Sequence, residues 1–64
     1  MDNKQAERYI KAIRNSCKRI YAQMYWNALV QGVEPQVPNF GLSNMARQAV
    51  RMRLAEFTKR EANV

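Results

Sequence analysis

The sequence contains no histidine, a single cysteine and only five acidic residues among its 64 positions. It therefore lacks most of the side chains that enzymes use for acid and base catalysis. No serine or cysteine stands at a usable spacing from a base, and there is no glycine-rich phosphate loop. The same inventory provides no ligand set for a metal and no cofactor motif. We therefore expect a protein that binds rather than catalyses, with neither metal nor cofactor.

One cysteine, Cys17, cannot form an intrachain disulfide, which is typical of proteins from a reducing compartment. The N-terminal residues lack the apolar region of a secretory signal, and no segment approaches the roughly 20 apolar residues that span a bilayer. These absences predict a cytoplasmic protein. A helix that lies on an anionic membrane is one functional hypothesis, but the apolar seam of the first helix is narrow, which disfavours it.

Positive charge dominates the composition, because eleven Lys and Arg against five Asp and Glu give a net charge of +6. Such an excess favours a polyanionic partner, for which RNA and DNA are the leading candidates. Solubility alone would also account for it. A chain of this length forms one small domain and buries only about 60% of the surface of the unfolded chain, which favours a homodimer.

Both glycines and both prolines lie between residues 32 and 42, so the segments on either side are free of helix breakers. Apolar residues in those segments recur at helical spacing. We predict an all-α single domain with one helix over about 3–31, a Pro/Gly loop over about 32–42, and a second helix over about 43–61. This helical hairpin would pair with a second copy into a dimeric four-helix bundle, since two helices alone cannot cover both apolar faces.

The predicted helix ends carry suitable caps. Asp2 or Asn3 can accept hydrogen bonds from the first free amides of the first helix, and Asn39 or Ser43 can do so for the second. Gly32 suits the left-handed position that follows a last helical turn.

Apolar residues at steps of three and four define the faces that pack. The second helix has a broad apolar face, whereas the first has a narrow apolar seam. The seam consists of Ala6, Ile10, Ile13, Cys17, Ile20 and Met24. The predicted core and dimer interface contain Ile10, Ile13, Cys17, Ile20, Met24, Trp26, Leu42, Met45, Ala49 and Phe57.

Opposite the seam, lysine and arginine form a stripe on one face of the first helix. At 100° per residue its members share an arc of about 140°, and no acidic residue lies between Glu7 and Glu34. Repulsion between like charges at this spacing costs a few tenths of a kcal/mol per pair, which favours a use for the stripe. We predict salt-dependent contact with phosphates. The predicted nucleic-acid-binding residues are Lys4, Arg8, Lys11, Arg14, Lys18 and Arg19, with Arg47 and Arg51 extending the surface from the second helix.

Two functions are therefore open. The first is a dimeric nucleic-acid-binding regulator, although a solvated helix face would account for the stripe equally well, and nothing in it separates DNA from RNA. The alternative is a protein-binding adaptor, inhibitor or small subunit of a larger assembly, such as a virus-encoded protein acting on a host complex.

Two further residues have more than one interpretation. Trp26 would pack in the core or, less favoured, stack on unpaired bases. Arg53 falls on the apolar side of the second helix, where it would pair with Glu56, extend to the rim or contact a partner.

Overall fold

The structure is a computed structural model that describes residues 1–59, except for the side chain of Lys59. Within that range the chain forms three helices, α1 (Asn3–Ala12), α2 (Ser16–Gln31) and α3 (Asn44–Lys59), and no strand. The all-α class is confirmed. The predicted end of the last helix, near residue 61, lies outside the described residues.

The single helix predicted over about 3–31 is wrong, because the structure divides it into α1 and α2. Ile13, with φ −71° and ψ 118°, and Asn15, with φ −69° and ψ 118°, have extended backbones. The side chain of Asn15 accepts a hydrogen bond from the amide of Lys18 at 2.9 Å and so caps α2. Asparagine favours such a cap over a helix interior, because its side chain competes for nearby backbone groups.

A second side chain stabilises the end of α1. Arg19 Nη1 donates a hydrogen bond to the carbonyl oxygen of Ile13 at 2.9 Å. A helix that stops leaves its last carbonyls without amide partners, and a positive charge is favourable at that end of the helix dipole. Residues 13–15, which we call the corner, are therefore held by side-chain hydrogen bonds of Asn15 and Arg19.

After the corner, α2 runs back along α1. Asn3 and Glu7 of α1 line the same groove as Trp26, which lies in the second half of α2. The start of α1 also meets the end of α3, since the amide of Asp2 donates to the carbonyl of Phe57 at 3.0 Å. Each helix consequently contacts the other two.

One cluster of buried side chains joins the three helices, and the ring of Phe57 connects several of its parts. Its centroid lies 6.4 Å from that of Trp26, at an interplanar angle of 86°, and 6.1 Å from that of Tyr9. Aromatic pairs of this kind add about 0.5–1.5 kcal/mol beyond the burial of their area. Ile13 and Leu42 of the predicted core pack against the cluster and are partly buried. The buried residues are Ala6, Ile10, Tyr21, Ala22, Trp26, Val50, Leu54 and Phe57.

Half of the predicted core residues do not belong to the core of the single chain. Beyond the corner, the predicted seam is no longer buried. On α3, Met45 and Ala49 lie on the side of the helix opposite the buried Leu54. Their role in a dimer interface stays a prediction. The exposed residues of the predicted set are Cys17, Ile20, Met24, Met45 and Ala49.

Two side chains cap the starts of helices and one glycine follows the end of a helix, as the sequence predicts. Asp2 Oδ1 accepts from the amide of Gln5 at 3.1 Å, and Ser43 Oγ accepts from the amide of Ala46 at 3.1 Å. Gly32 is left-handed, with φ 74°, at the end of α2. These contacts confirm Asp2 and Ser43 as N-caps and Gly32 as the C-terminal residue of the turn.

A tight turn over residues 39–42 leads into α3. The amide of Leu42 donates to the carbonyl of Asn39 at 2.8 Å, and the amide of Gly41 donates to the Asn39 side chain at 3.1 Å. Phe40, with φ 52°, and Gly41, with φ 77°, are both left-handed, as in a type I′ turn. The left-handed backbone of Phe40 costs about 1–2 kcal/mol, and packing of its ring against the core offsets that cost.

Replacing Gly41 by alanine should lower the free energy of unfolding by about 1–2 kcal/mol, because a side chain disfavours the left-handed backbone. The change tests backbone strain alone, since nothing lies within 4 Å of the added Cβ. Urea unfolding followed by circular dichroism measures the effect. The control variant Gly41→Asn should lose less, because asparagine tolerates this conformation. Equal stability of wild type and Gly41→Ala would contradict the turn geometry.

Candidate nucleic-acid interface

Four basic side chains form the open part of the predicted stripe. Lys4, Arg8 and Lys11 lie on the outer face of α1, and Arg14 lies in the corner. All four are exposed, and no hydrogen bond or ion pair joins their side chains to another residue within 1–59. The helix rises about 10 Å between Lys4 and Lys11. We call these four residues the basic ridge.

Two other residues of the predicted stripe follow the corner. Lys18 is partly buried, and Arg19, although exposed, is held by the carbonyl of Ile13. The structure thus gives Arg19 a role in closing the corner, which the sequence did not indicate. Both lie near Arg14, so positive charge is concentrated at the end of the basic ridge.

The structure does not bring Arg47 and Arg51 onto the basic ridge. Arg51 Nη1 donates a long hydrogen bond of 3.5 Å to the hydroxyl of Tyr21 on α2. Arg47 is also partly buried, and its Nε is enclosed without a hydrogen-bond partner among the described residues. Both side chains lie on the side of α3 that faces α2. Arg53 lies on the side that faces α1, where its guanidinium is 6.0 Å from the ring of Tyr9.

Arg53 is occupied within the chain. Its Nη1 donates to Glu56 Oε2 at 2.9 Å, which is one of the contacts the sequence predicts. Its guanidinium also lies over the rings of Phe57, at 5.3 Å, and Tyr9, at 6.0 Å. The paired side chains are 55% and 62% exposed, so the ion pair itself contributes little. The contacts with the rings contribute about 0.5–1 kcal/mol.

The pKa of the Tyr9 hydroxyl is raised from its ordinary value of 10.0, because burial disfavours the phenolate. The nearby guanidinium of Arg53 opposes this effect but does not cancel it. The phenol is protonated in both the folded and the unfolded chain below that value. Above it the unfolded chain loses its proton first.

Tyr9 should therefore make the folded state less stable as the pH rises above 10.0, until the folded pKa is passed. Tyr9→Phe removes this contribution, so its stability should fall less steeply in the same range. Urea midpoints of both proteins, measured at about pH 9 and about pH 11, provide the comparison. Parallel curves would contradict the raised pKa.

A polar groove with a volume of about 280 Å³ runs between α1 and the second half of α2. Inside it, Gln23 Nε2 donates to Asn27 Oδ1 at 3.0 Å. The groove meets the basic ridge at Glu7, because Lys11 lies only about 40° from Glu7 around the axis of α1. The groove is lined by Asn3, Glu7, Gln23, Trp26, Asn27, Val30 and Gln31.

Sequence reasoning missed this groove, although α2 carries a signal for it. Gln23, Asn27 and Gln31 follow each other at steps of four and so share one face of a helix. Residues 20–31 contain no charged side chain. A surface helix normally has charged residues on its polar face, so a polar face made of three amides is unusual. Their pairing with Asn3 and Glu7 depends on the chain reversal at the corner.

Among residues 1–59, no three His, Cys, Asp or Glu side chains are placed to hold a metal ion. No helix in that range is both long enough and apolar enough to cross a membrane. The chain matches no protein-family model, and no curated protein or solved structure is significantly similar to it.

Proposed function

We propose that this protein is a small non-enzymatic nucleic-acid-binding regulator that holds phosphates along the basic ridge. The observation that carries the proposal is the state of the four ridge side chains, which are exposed and have no partner within the described chain. Arg19 and Arg53, by contrast, are engaged in contacts of their own. The part of the ridge between Lys4 and Lys11, about 10 Å long, faces about three phosphates of one strand at 3.4 Å per nucleotide.

Electrostatics supports a partner for this surface. Arg8 has a like-charged neighbour on each side, Lys4 and Lys11, which costs a few tenths of a kcal/mol per pair. Glu7, which lies between Lys4 and Lys11 on the same face, offsets part of this cost. Phosphates would remove that repulsion and release condensed counterions. The net charge of +6 would also accelerate the approach of a polyanion.

The triple variant Lys4→Gln, Arg8→Gln, Lys11→Gln should bind nucleic acid more weakly and with a smaller dependence on salt. The slope of log K against log salt is negative. Losing three phosphate contacts should reduce its magnitude by about 2 for a single strand and about 3 for a duplex. Fluorescence anisotropy of labelled oligonucleotides at several salt concentrations measures both quantities. Circular dichroism should show an unchanged fold, because all three side chains are exposed.

A charge-restored control separates the ridge from net charge. Adding Val33→Lys, Gln36→Lys and Gln48→Lys to the triple variant returns the charge to +6 at exposed positions away from α1. Binding should stay weak in this control. Full recovery would mean that only the total charge matters, and unchanged affinity in the triple variant would refute the role of the ridge.

A homodimer is part of the proposed function. Met45 is 82% exposed and Met52 is 65% exposed on the outer face of α3, and Ile20 and Met24 are exposed on α2. We infer that these side chains form part of the interface, because exposed apolar patches usually mark one. Pairing of α2 and α3 with a second copy, as a four-helix bundle, would cover these residues and leave α1 with its basic ridge on the outside.

The double variant Met45→Gln, Met52→Gln should shift a wild-type dimer to the monomer, because it removes apolar area from the proposed interface without adding charge. Light scattering after size exclusion, over a range of protein concentrations, measures the mass. Val33→Gln is the matched control, since Val33 is an exposed apolar residue of the loop. A monomeric wild type at every concentration would contradict the dimer.

The same exposed methionines favour one second candidate, a protein-binding adaptor, inhibitor or small subunit of a larger assembly. Methionine adapts to irregular partner surfaces, because its side chain is unbranched and polarizable. This candidate is preferred if the wild type is monomeric and binds no nucleic acid at low salt.

A further inference from the structure

The polar groove adjoins the basic ridge but has no basic residue in its lining. Glu7 is exposed there and has no hydrogen-bond partner among the described residues. The bond between Gln23 and Asn27 uses one group of each amide, which leaves Gln23 Oε1 and Asn27 Nδ2 without a partner in the described chain. The groove thus offers a carboxylate and an amide oxygen as acceptors, with an amide nitrogen as donor.

A ligand that fits must donate hydrogen bonds to Glu7 without being a cation. Lys4 and Lys11 lie about 60° and 40° from Glu7 around the axis of α1, so an ammonium or guanidinium group would meet their repulsion. A nucleotide carries neutral amino donors on its base and negative charge on its phosphate. Its base is therefore suited to the groove and its phosphate to the adjoining lysines.

We propose that the groove binds an unpaired nucleobase with an exocyclic amino group, as in cytosine, while Lys4 and Lys11 hold the neighbouring phosphates. This inference rests on the nucleic-acid binding proposed above and specifies a single strand as the ligand. The amino group of cytosine donates to a carboxylate such as that of Glu7. Uracil has a carbonyl oxygen at the same position, which a carboxylate repels, and its one donor on that edge, N3–H, lies between two such oxygens.

The groove is smaller than the pockets that enclose drug-sized ligands. Its volume of about 280 Å³ lies below the roughly 300–1,000 Å³ of pockets that enclose a drug-sized ligand. A base reaches such a site only when it is unstacked and unpaired, as in a single strand or a loop. Trp26 is the only tryptophan of the chain and, although buried, belongs to the lining, so a ligand in the groove should change its fluorescence.

The test compares single-stranded oligodeoxycytidine and oligodeoxyuridine of equal length at neutral pH, where cytosine carries no proton. Both have the same phosphates, so the basic ridge contributes equally and the ratio of affinities isolates the base. We expect the cytosine strand to bind about fivefold more tightly, as a hydrogen bond to a charged but solvent-accessible acceptor allows. Anisotropy gives the affinities, and the cytosine strand should change the emission of Trp26.

Glu7→Gln tests the assigned acceptor. The amide can donate to the uracil carbonyl, so the preference for cytosine should fall to about one. Binding of the uracil strand should tighten, because a negative charge beside the basic ridge is removed. Glu34→Gln is the matched control, because it makes the same charge change at an exposed position of the loop. It should keep the fivefold preference.

The outcomes separate this inference from the proposed function. Equal, salt-dependent binding of both strands by the wild type would overturn the groove site and leave the basic ridge intact. A preference for cytosine that survives Glu7→Gln would also overturn it. If neither strand binds at low salt and a duplex does not bind either, the proposed function fails as well.

Discussion

The hydrogen bonds that hold the corner over residues 13–15 determine the arrangement of this small domain. Asn15 starts α2 and Arg19 satisfies the carbonyl of Ile13, so the chain reverses where a continuous helix was expected. A ten-residue α1 would not be stable alone, because isolated helices shorter than about 12–15 residues are marginal in water. Its stability depends on burying Ala6 and Ile10 against α2 and α3.

The reversal also separates groups that one long helix would have aligned. In a straight helix the apolar seam would continue to Met24, and the basic stripe would run opposite it to Arg19. In the structure the first half of the seam is buried and the second half is exposed. The amides of α2 then lie beside Glu7, which creates a polar groove next to the basic ridge. One local break thus produces an exposed apolar surface and a groove beside the basic ridge.

Helix content, caps and several core side chains could be predicted from the sequence, because they depend on residues close together in the chain. Gly32 ends α2, Ser43 begins α3, and Arg53 pairs with Glu56 three residues away. The corner could not be predicted from the sequence, because Asn15 is tolerated inside a helix and neither glycine nor proline marks the break. The corner is held by side-chain hydrogen bonds of Asn15 and Arg19, which no local breaker indicates. The groove was missed because it joins segments that are distant in the sequence.

The three surfaces make different contributions to the function that we propose. Four ridge charges would give a single-strand salt slope of about −3, which implies weak binding without sequence preference. A groove that accepts one base adds discrimination but little area. Pairing two chains through the exposed faces of α2 and α3 would present two basic ridges to one polyanion. The second contact would then form at a high effective concentration, so affinity for nucleic acid would depend on the dimer even though no dimer-interface residue touches a phosphate.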